Sequence, residues 1–216
     1  MKHTTVIFDL DGTLLDTLED LWLATNHTME AFGWPDRTIT EVRAFVGNGT
    51  ARLVKCAAPQ DIDEETFNKA LAAQQEYYTA HCTDTTRPYD GIMELLGKLK
   101  EHGIKMAIVS NKPQKAVESL RDLYFADYID ICVGDSPAVR RKPQPDTVLR
   151  SIELLGSKRE DSVYVGDSEV DVMTAANAGI DCIAVSWGFR DVIQLVEAGA
   201  RTICKDPDEV FKEICG

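Results

Sequence analysis

The chain has 216 residues, of which 23 are Lys or Arg and 36 are Asp or Glu, giving a formal net charge of −13. With 44% hydrophobic and 27% charged residues it has the composition of a globular protein, long enough for one large domain or a core domain with a smaller companion. That acidity disfavours a nucleic-acid partner, which needs clustered Lys and Arg to displace counterions, and disfavours an anionic membrane surface.

The opening apolar run, Val6-Ile7-Phe8, ends at Asp9 and is too short for a signal-peptide core. No stretch approaches the roughly 20 apolar residues of a membrane span. Cys56, Cys82, Cys132, Cys182, Cys204 and Cys215 form no C-x-x-C pair and sit mostly in apolar runs. This predicts reduced, buried thiols in a cytoplasmic protein, rather than a disulfide framework or a zinc site.

Five short Val- and Ile-rich runs predict buried parallel strands, at residues 5–8, 105–109, 129–133, 162–165 and 182–185. Helical patterns lie between them at 91–102, 113–123, 145–155 and 170–178, with Gly103 and Gly179 where C-caps fall. A run at 201–204 adds an edge strand, and Leu195-Val196 and Val210-Phe211 mark small terminal helices. From about residue 88, strand and helix alternate, which predicts an α/β fold with a doubly wound, Rossmann-like parallel sheet. The stretch 16–85 breaks that rhythm. Leu18, Leu21, Trp22, Thr25 and Met29 mark one apolar helical face, with further helices at 43–46, 51–56 and 67–81 and no convincing strand. The predicted organisation is a core of residues 1–15 and 86–216 with an inserted all-helical cap domain at 16–85.

Ligands in open α/β sheets bind at the carboxyl ends of the strands, and four of these exits are polar. The first is Asp9-Leu10-Asp11-Gly12-Thr13. Two acids spaced by two leave an extended chain on one face, where they need a cation or a proton to coexist, although Asp and Gly also make ordinary turns. The second is Ser110-Asn111-Lys112, an anion site or a helix N-cap. At the third, Lys142 precedes Pro143, which biases its backbone to extended geometry; it is an oxyanion partner or a solvated lysine. The fourth is Gly166-Asp167-Ser168-Glu169-Val170-Asp171, in which the acids either face the site or serve as an N-cap and a first-turn charge.

In this order and strand context the four motifs resemble those of the haloacid dehalogenase-like hydrolases, over nearly the whole chain and including the helical insertion after the first motif. The resemblance implies a Mg²⁺-dependent phosphomonoester hydrolase with Asp9 as nucleophile, forming an aspartyl-phosphate, and Asp11 as general acid and then general base. It implies Mg²⁺ at the carboxylate of Asp9, the backbone carbonyl of Asp11, and Asp167, with Asp171 supporting the metal site or orienting the lysine. Thr13, Ser110 and Asn111 would bind the phosphoryl group and Lys142 would balance its charge. The segment Val46-Gly47-Asn48-Gly49 with Arg52 looks like the phosphoglycolate phosphatase branch, where it would contact a small anionic substrate such as 2-phosphoglycolate; alternatively the glycines only make a helix–helix turn. Pyrophosphatases, sugar-phosphate and nucleotide phosphatases share the branch, and a β-phosphoglucomutase-like mutase keeps both first-motif acids. Asp11 argues against a dehalogenase and against a phosphonoacetaldehyde hydrolase. A phospho-acceptor receiver module is the alternative of another class, though such modules are shorter and lack the insertion. The expected partner is a small phosphorylated metabolite, with a monomeric or weakly homodimeric chain.

Overall fold

The computed structural model describes residues 2–216. In chain order the elements are β1 (Thr5–Asp9), β2 (Leu15–Asp16), α1 (Leu18–Ala31), α2 (Ile39–Phe45), α3 (Thr50–Ala57) and α4 (Glu64–His81). They continue with β3 (Arg87–Pro88), α5 (Ile92–Glu101), β4 (Lys105–Pro113), α6 (Gln114–Tyr124), β5 (Ile131–Asp135) and α7 (Asp146–Leu154). The last are β6 (Ser162–Gly166), α8 (Glu169–Ala178), β7 (Asp181–Val185), α9 (Val192–Glu197), β8 (Thr202–Cys204) and α10 (Pro207–Cys215). Two compact units result: Met1–Leu15 with Pro88–Gly216, and Asp16–Arg87. The chain passes between them at β2 and β3, two-residue strands that pair with each other and were not anticipated.

The first unit holds a six-stranded sheet in the order β5-β4-β1-β6-β7-β8, parallel throughout. All five residues of β1 are buried. Its side chains alternate between two cores, as a strand covered on both faces requires. Val6 and Phe8 pack with Ile92, Leu96 and Leu99 of α5, Leu120 of α6 and Val210 of α10. Ile7 packs on the opposite face with Val148 and Ile152 of α7 and Ala175 and Ala178 of α8. Each of the predicted strands lies within or overlaps an observed one, and the run at 201–204 supplies the edge strand β8.

One boundary differs in a way that matters. The strand expected to stop at Val109 continues to Pro113, with a register shift against β5 between Val109 and Pro113. Ser110 and Asn111 therefore lie in extended backbone, and Pro113, not either of them, occupies the N-cap position of α6.

The helical unit gathers α1–α4 around Leu21, Ala24, Val42, Leu53, Tyr78 and Cys82. Its helix starts carry their own stop signals: Thr38 and Glu41 form a reciprocal capping box on α2, and the Asp63 carboxylate accepts from Thr66 N–H on α4. Asp20, on α1, is 1% exposed and receives the Thr85 N–H (2.9 Å), the Thr85 hydroxyl (2.7 Å) and the Thr86 N–H (3.0 Å). The six cysteines are all free, and among the described residues no helix is long and apolar enough to cross a membrane.

Candidate active site

β1 is central in the sheet, with β4 on one side and β6 on the other, so the chain winds away from it in both directions. The crevice at the carboxyl end of such a strand is where the fold leaves backbone and polar groups uncovered. Asp9 is the last residue of β1, Ser110 follows Val109 in the adjoining strand, and Asp167 follows Gly166 at the end of β6.

Asp9, Asp167 and Asp171 are buried and offer carboxylate oxygens that all lie within 4.8 Å of one another. Lys142, 5% exposed, is the buried ammonium among them, at 2.7 Å from Asp9 Oδ1 and 2.8 Å from Asp171 Oδ1. It also reaches the Tyr164 hydroxyl at 3.1 Å, and that hydroxyl donates to Asp171 Oδ1 at 2.9 Å. Asp171 is thus held at both oxygens, because Oδ2 accepts from the Ser168 N–H (3.1 Å) and hydroxyl (2.6 Å). Asp167 accepts from the Thr13 hydroxyl (3.2 Å) and the Phe189 N–H (2.6 Å).

Packing around these acids is by bare backbone. A Cβ at Gly12, whose φ is +83°, would collide with the Asp167 carboxylate; one at Gly188 would meet the same side chain, and one at Gly166 would strike Asp171.

Charge is unbalanced in this pocket. Burial, and then Asp171, push the Asp9 carboxyl well above the usual carboxylate range despite Lys142. Burial and Asp171 likewise push Asp167 up to about 7. Burial also opposes ionisation of Asp171, but Lys142 and the donors from Ser168 and Tyr164 override it and hold that carboxyl below its ordinary value. Burial works against the charge of Lys142, yet Asp171 and Asp9 outweigh it and keep the ammonium firmly protonated. Three carboxylates facing one ammonium form an all-oxygen donor set short of positive charge, which suits a hard divalent cation such as Mg²⁺. Asp171 binds Lys142 through Oδ1 while Ser168 holds its Oδ2, and Asp167 is likewise held at both oxygens, by Thr13 and Phe189.

Asp11 lies apart from that triad. Its carboxylate forms an ion pair with Lys112 and accepts from Ser110 Oγ at 3.4 Å. Its carboxylate is not part of the cluster formed by Asp9, Asp167 and Asp171.

Two of the expected substrate contacts also have partners within the protein. Asn111 donates to the Lys142 carbonyl (3.2 Å) and accepts from the Lys142 N–H (2.9 Å), so its amide fixes the backbone of the lysine. The Thr13 hydroxyl serves Asp167, and its carbonyl accepts from Trp187 Nε1 at 3.1 Å. Neither acid of the fourth motif is the N-cap of α8: Ser168 is, with Asp171 at the third helical position. Gly47, Asn48 and Gly49 lie at the turn between α2 and α3 of the helical unit, where Gly47 (φ +124°) and Gly49 (φ +82°) take positive φ, and Arg52 lies in the first turn of α3.

Sequence reasoning missed Lys112, Tyr164 and Ser168. Tyr164 is hidden in the apolar run of β6, and only its phenolic end is polar. Lys112 had a signal, since it follows a buried strand within the motif already singled out.

The model of the haloacid dehalogenase-like hydrolase family matches residues 6–185. Among curated relatives, "Phosphoglycolate phosphatase 1" of Pseudomonas aeruginosa is 36% identical over 191 residues, 86% of this chain and 70% of that protein. A phosphoglycolate phosphatase of Rhodobacter capsulatus is 33% identical over 189 residues, 86% of this chain and 85% of that protein. A crystal structure of a candidate phosphoglycolate phosphatase from Lactobacillus delbrueckii subsp. bulgaricus superposes with a TM-score of 0.96 at 36% identity, covering 100% of both chains.

Proposed function

Because the chain belongs to the haloacid dehalogenase-like hydrolase family, in its phosphoglycolate phosphatase-like branch, we propose that it is a Mg²⁺-dependent phosphomonoester hydrolase whose substrate is 2-phosphoglycolate. The observation that carries the reading is the convergence of Asp9, Asp167, Asp171 and Lys142 in one buried, cation-deficient pocket, with Asp11 two residues beyond the nucleophile.

In this reading Asp9 attacks phosphorus. An Asp9 Oδ–P bond forms as the P–O ester bond breaks, and the electron pair on the leaving oxygen takes the proton of Asp11, releasing glycolate. Asp11 then accepts a proton from water, the water oxygen bonds to phosphorus, and the Asp9 Oδ–P bond breaks to release inorganic phosphate. Lys142 holds Asp9 in place through Oδ1 and offsets charge on the phosphoryl oxygens. Ser110 binds the same group. When bound by Asp9, Asp167 and the Asp11 carbonyl, Mg²⁺ supplies charge neutralisation at the transferring phosphoryl group. The helical unit acts as a cap, with Gly47, Asn48, Gly49 and Arg52 contacting the anionic end of the substrate. The free cysteines support a reducing, cytoplasmic setting, and the chain would act as a monomer or weak homodimer.

The test is steady-state phosphate release with Mg²⁺ on 2-phosphoglycolate, pyrophosphate, hexose phosphates and nucleoside monophosphates. A kcat/KM for 2-phosphoglycolate at least ~10-fold above the rest is expected. Comparable slow turnover of all of them would sink the assignment of substrate.

A further inference from the structure

The last of the four motifs ends at Asp171, yet the segment between β7 and α9 also reaches the buried acids. Its Phe189 N–H donates to Asp167 Oδ2 at 2.6 Å. Gly188 packs so closely that a Cβ there would meet both the Asp167 side chain and the Gly12 carbonyl. A backbone N–H cannot aim itself; it points where the segment carrying it is held. Here side chains hold that segment on either side of Phe189. The Trp187 indole donates through Nε1 to the Thr13 carbonyl at 3.1 Å, and the Thr13 hydroxyl in turn donates to Asp167 Oδ1 at 3.2 Å. The Arg190 guanidinium, 6% exposed, forks onto Glu169, with Nε donating to Oε2 at 2.7 Å and Nη2 to Oε1 at 3.3 Å. Glu169 is the first residue of α8, between Asp167 and Asp171, and takes no part in the proposed chemistry.

We propose that Arg190 is a positioning residue for the cation site: by fastening the segment after β7 to the start of α8, it keeps the Phe189 N–H on Asp167 and so fixes the direction in which that carboxylate meets Mg²⁺. The inference rests on the reading of Asp167 as a holder of Mg²⁺. Each oxygen of an ionised carboxylate has two lone-pair sites, so one hydrogen bond at each removes the freedom to turn and still leaves a site for the ion. Groups that orient a metal ligand in this way typically carry about 10–100-fold of the metal affinity. A bidentate fork suits the task, because it fixes both the distance and the angle between the loop and the helix, which a single ammonium contact does not. Charge makes the proposal separable from electrostatics. Removing a cationic side chain near the site strengthens the binding of a second cation by Coulomb's law alone, whereas removing a positioning residue weakens it.

The experiment measures the dissociation constant of Mg²⁺, without substrate and at pH 8, from the rise of melting temperature with Mg²⁺ concentration. It uses the full-length wild type, Arg190→Met, Arg190→Gln, Arg190→Lys and Asp167→Asn. Each protein is referenced to its own metal-free melting temperature, so a plain loss of stability cancels. Arg190→Met and Arg190→Gln should raise the Mg²⁺ Kd by about ten-fold, against the Coulombic sign, with Arg190→Lys between them and the wild type. A Kd unchanged or lowered in both neutral variants overturns the proposal, whatever their melting temperatures, and the ion pair then only stabilises the loop. If neither neutral variant folds, Arg190→Lys decides: it keeps the charge and loses the fork, so a raised Kd supports the proposal and a wild-type Kd overturns it. Asp167→Asn tests the reading beneath. If it leaves the Mg²⁺ Kd unchanged, the ion is not on Asp167 and the proposal falls together with that reading. If it weakens Mg²⁺ binding while the Arg190 variants bind like the wild type, the proposal falls alone.

Discussion

Both units bury acids, and they treat them in opposite ways. In the helical unit Asp20 is satisfied by three neutral donors from Thr85 and Thr86, with no second acid in that set of contacts. It ties the return segment to α1. In the α/β unit, Asp9, Asp167 and Asp171 crowd within 4.8 Å around Lys142. Burial there raises Asp9 and Asp167 instead of stabilising their charge. A carboxylate that serves architecture is paired off completely, whereas a cluster that serves chemistry is left short of positive charge.

The largest effect should come from the nucleophile. Asp9→Asn is expected to lower Mg²⁺-dependent phosphate release by more than about a thousand-fold. Its metal-free melting temperature should be unchanged or raised, because one of the crowded acids has lost its charge. Ordinary activity in this variant would refute the assignment of Asp9.

Next is Lys142→Met, which strips the cluster of its buried cation and should cost about 3 kcal/mol of metal-free stability in urea unfolding at pH 8. At acid pH, where the acids can protonate, the cost should shrink. An equal cost at pH 5 and pH 8 would show that the lysine matters for packing and not for charge.

Asp20→Ala should cost roughly 1–3 kcal/mol by removing the acceptor of the Thr85 and Thr86 donors, with or without Mg²⁺. Hydrogen exchange should report the loss first at the amides of Thr85 and Thr86. Sensitivity of this variant to Mg²⁺ would erase the contrast between the two kinds of buried acid.

The last expectation concerns pH. A carboxyl raised in the folded state is ionised at a cost, so the metal-free protein should be most stable in acid. It should lose stability as pH climbs from the ordinary carboxylate range through about 7, the value for Asp167. A cation reverses this, because it binds the ionised form. The Mg²⁺-induced rise in melting temperature should therefore be greater at pH 8 than at pH 5.5. Each unit below about 7 weakens cation binding by about 1.4 kcal/mol for each proton that must leave. An equal rise at both values would place the cation elsewhere.

Much of this arrangement was legible in the sequence, and the limits are instructive. The sheet was visible because its strands are buried on both faces, so residues such as Val6, Ile7 and Phe8 are apolar without interruption. Asp9, Asp11, Ser110, Asp167 and Asp171 stood out because polar residues follow such runs, and Lys142 because it precedes Pro143. What those residues touch was not legible. Asn111 holds the Lys142 backbone across 31 positions of sequence, and Tyr164 offers a hydroxyl to Asp171 from inside an apolar strand. Contacts of that kind depend on which strands become neighbours, information that no local pattern contains. The continuation of β4 to Pro113 had the same cause. Pairing with β5 keeps the chain extended to Pro113, beyond the apolar run that ends at Val109.

The parallel register of β1 has a consequence in time. Thr5 pairs with Lys105 on one side and Ser162 on the other. At the roughly 5–20 residues per second of protein synthesis, the central strand leaves the ribosome about 5–20 seconds before its first partner exists, and longer before its second. The whole helical unit, Asp16–Arg87, is made during that wait, from helices that contact one another over short stretches of chain. A strand buried along its whole length is thus made before either of its partners, so for that interval Val6, Ile7 and Phe8 depend on chaperones, the exit tunnel or transient contacts with the nascent chain to stay out of water.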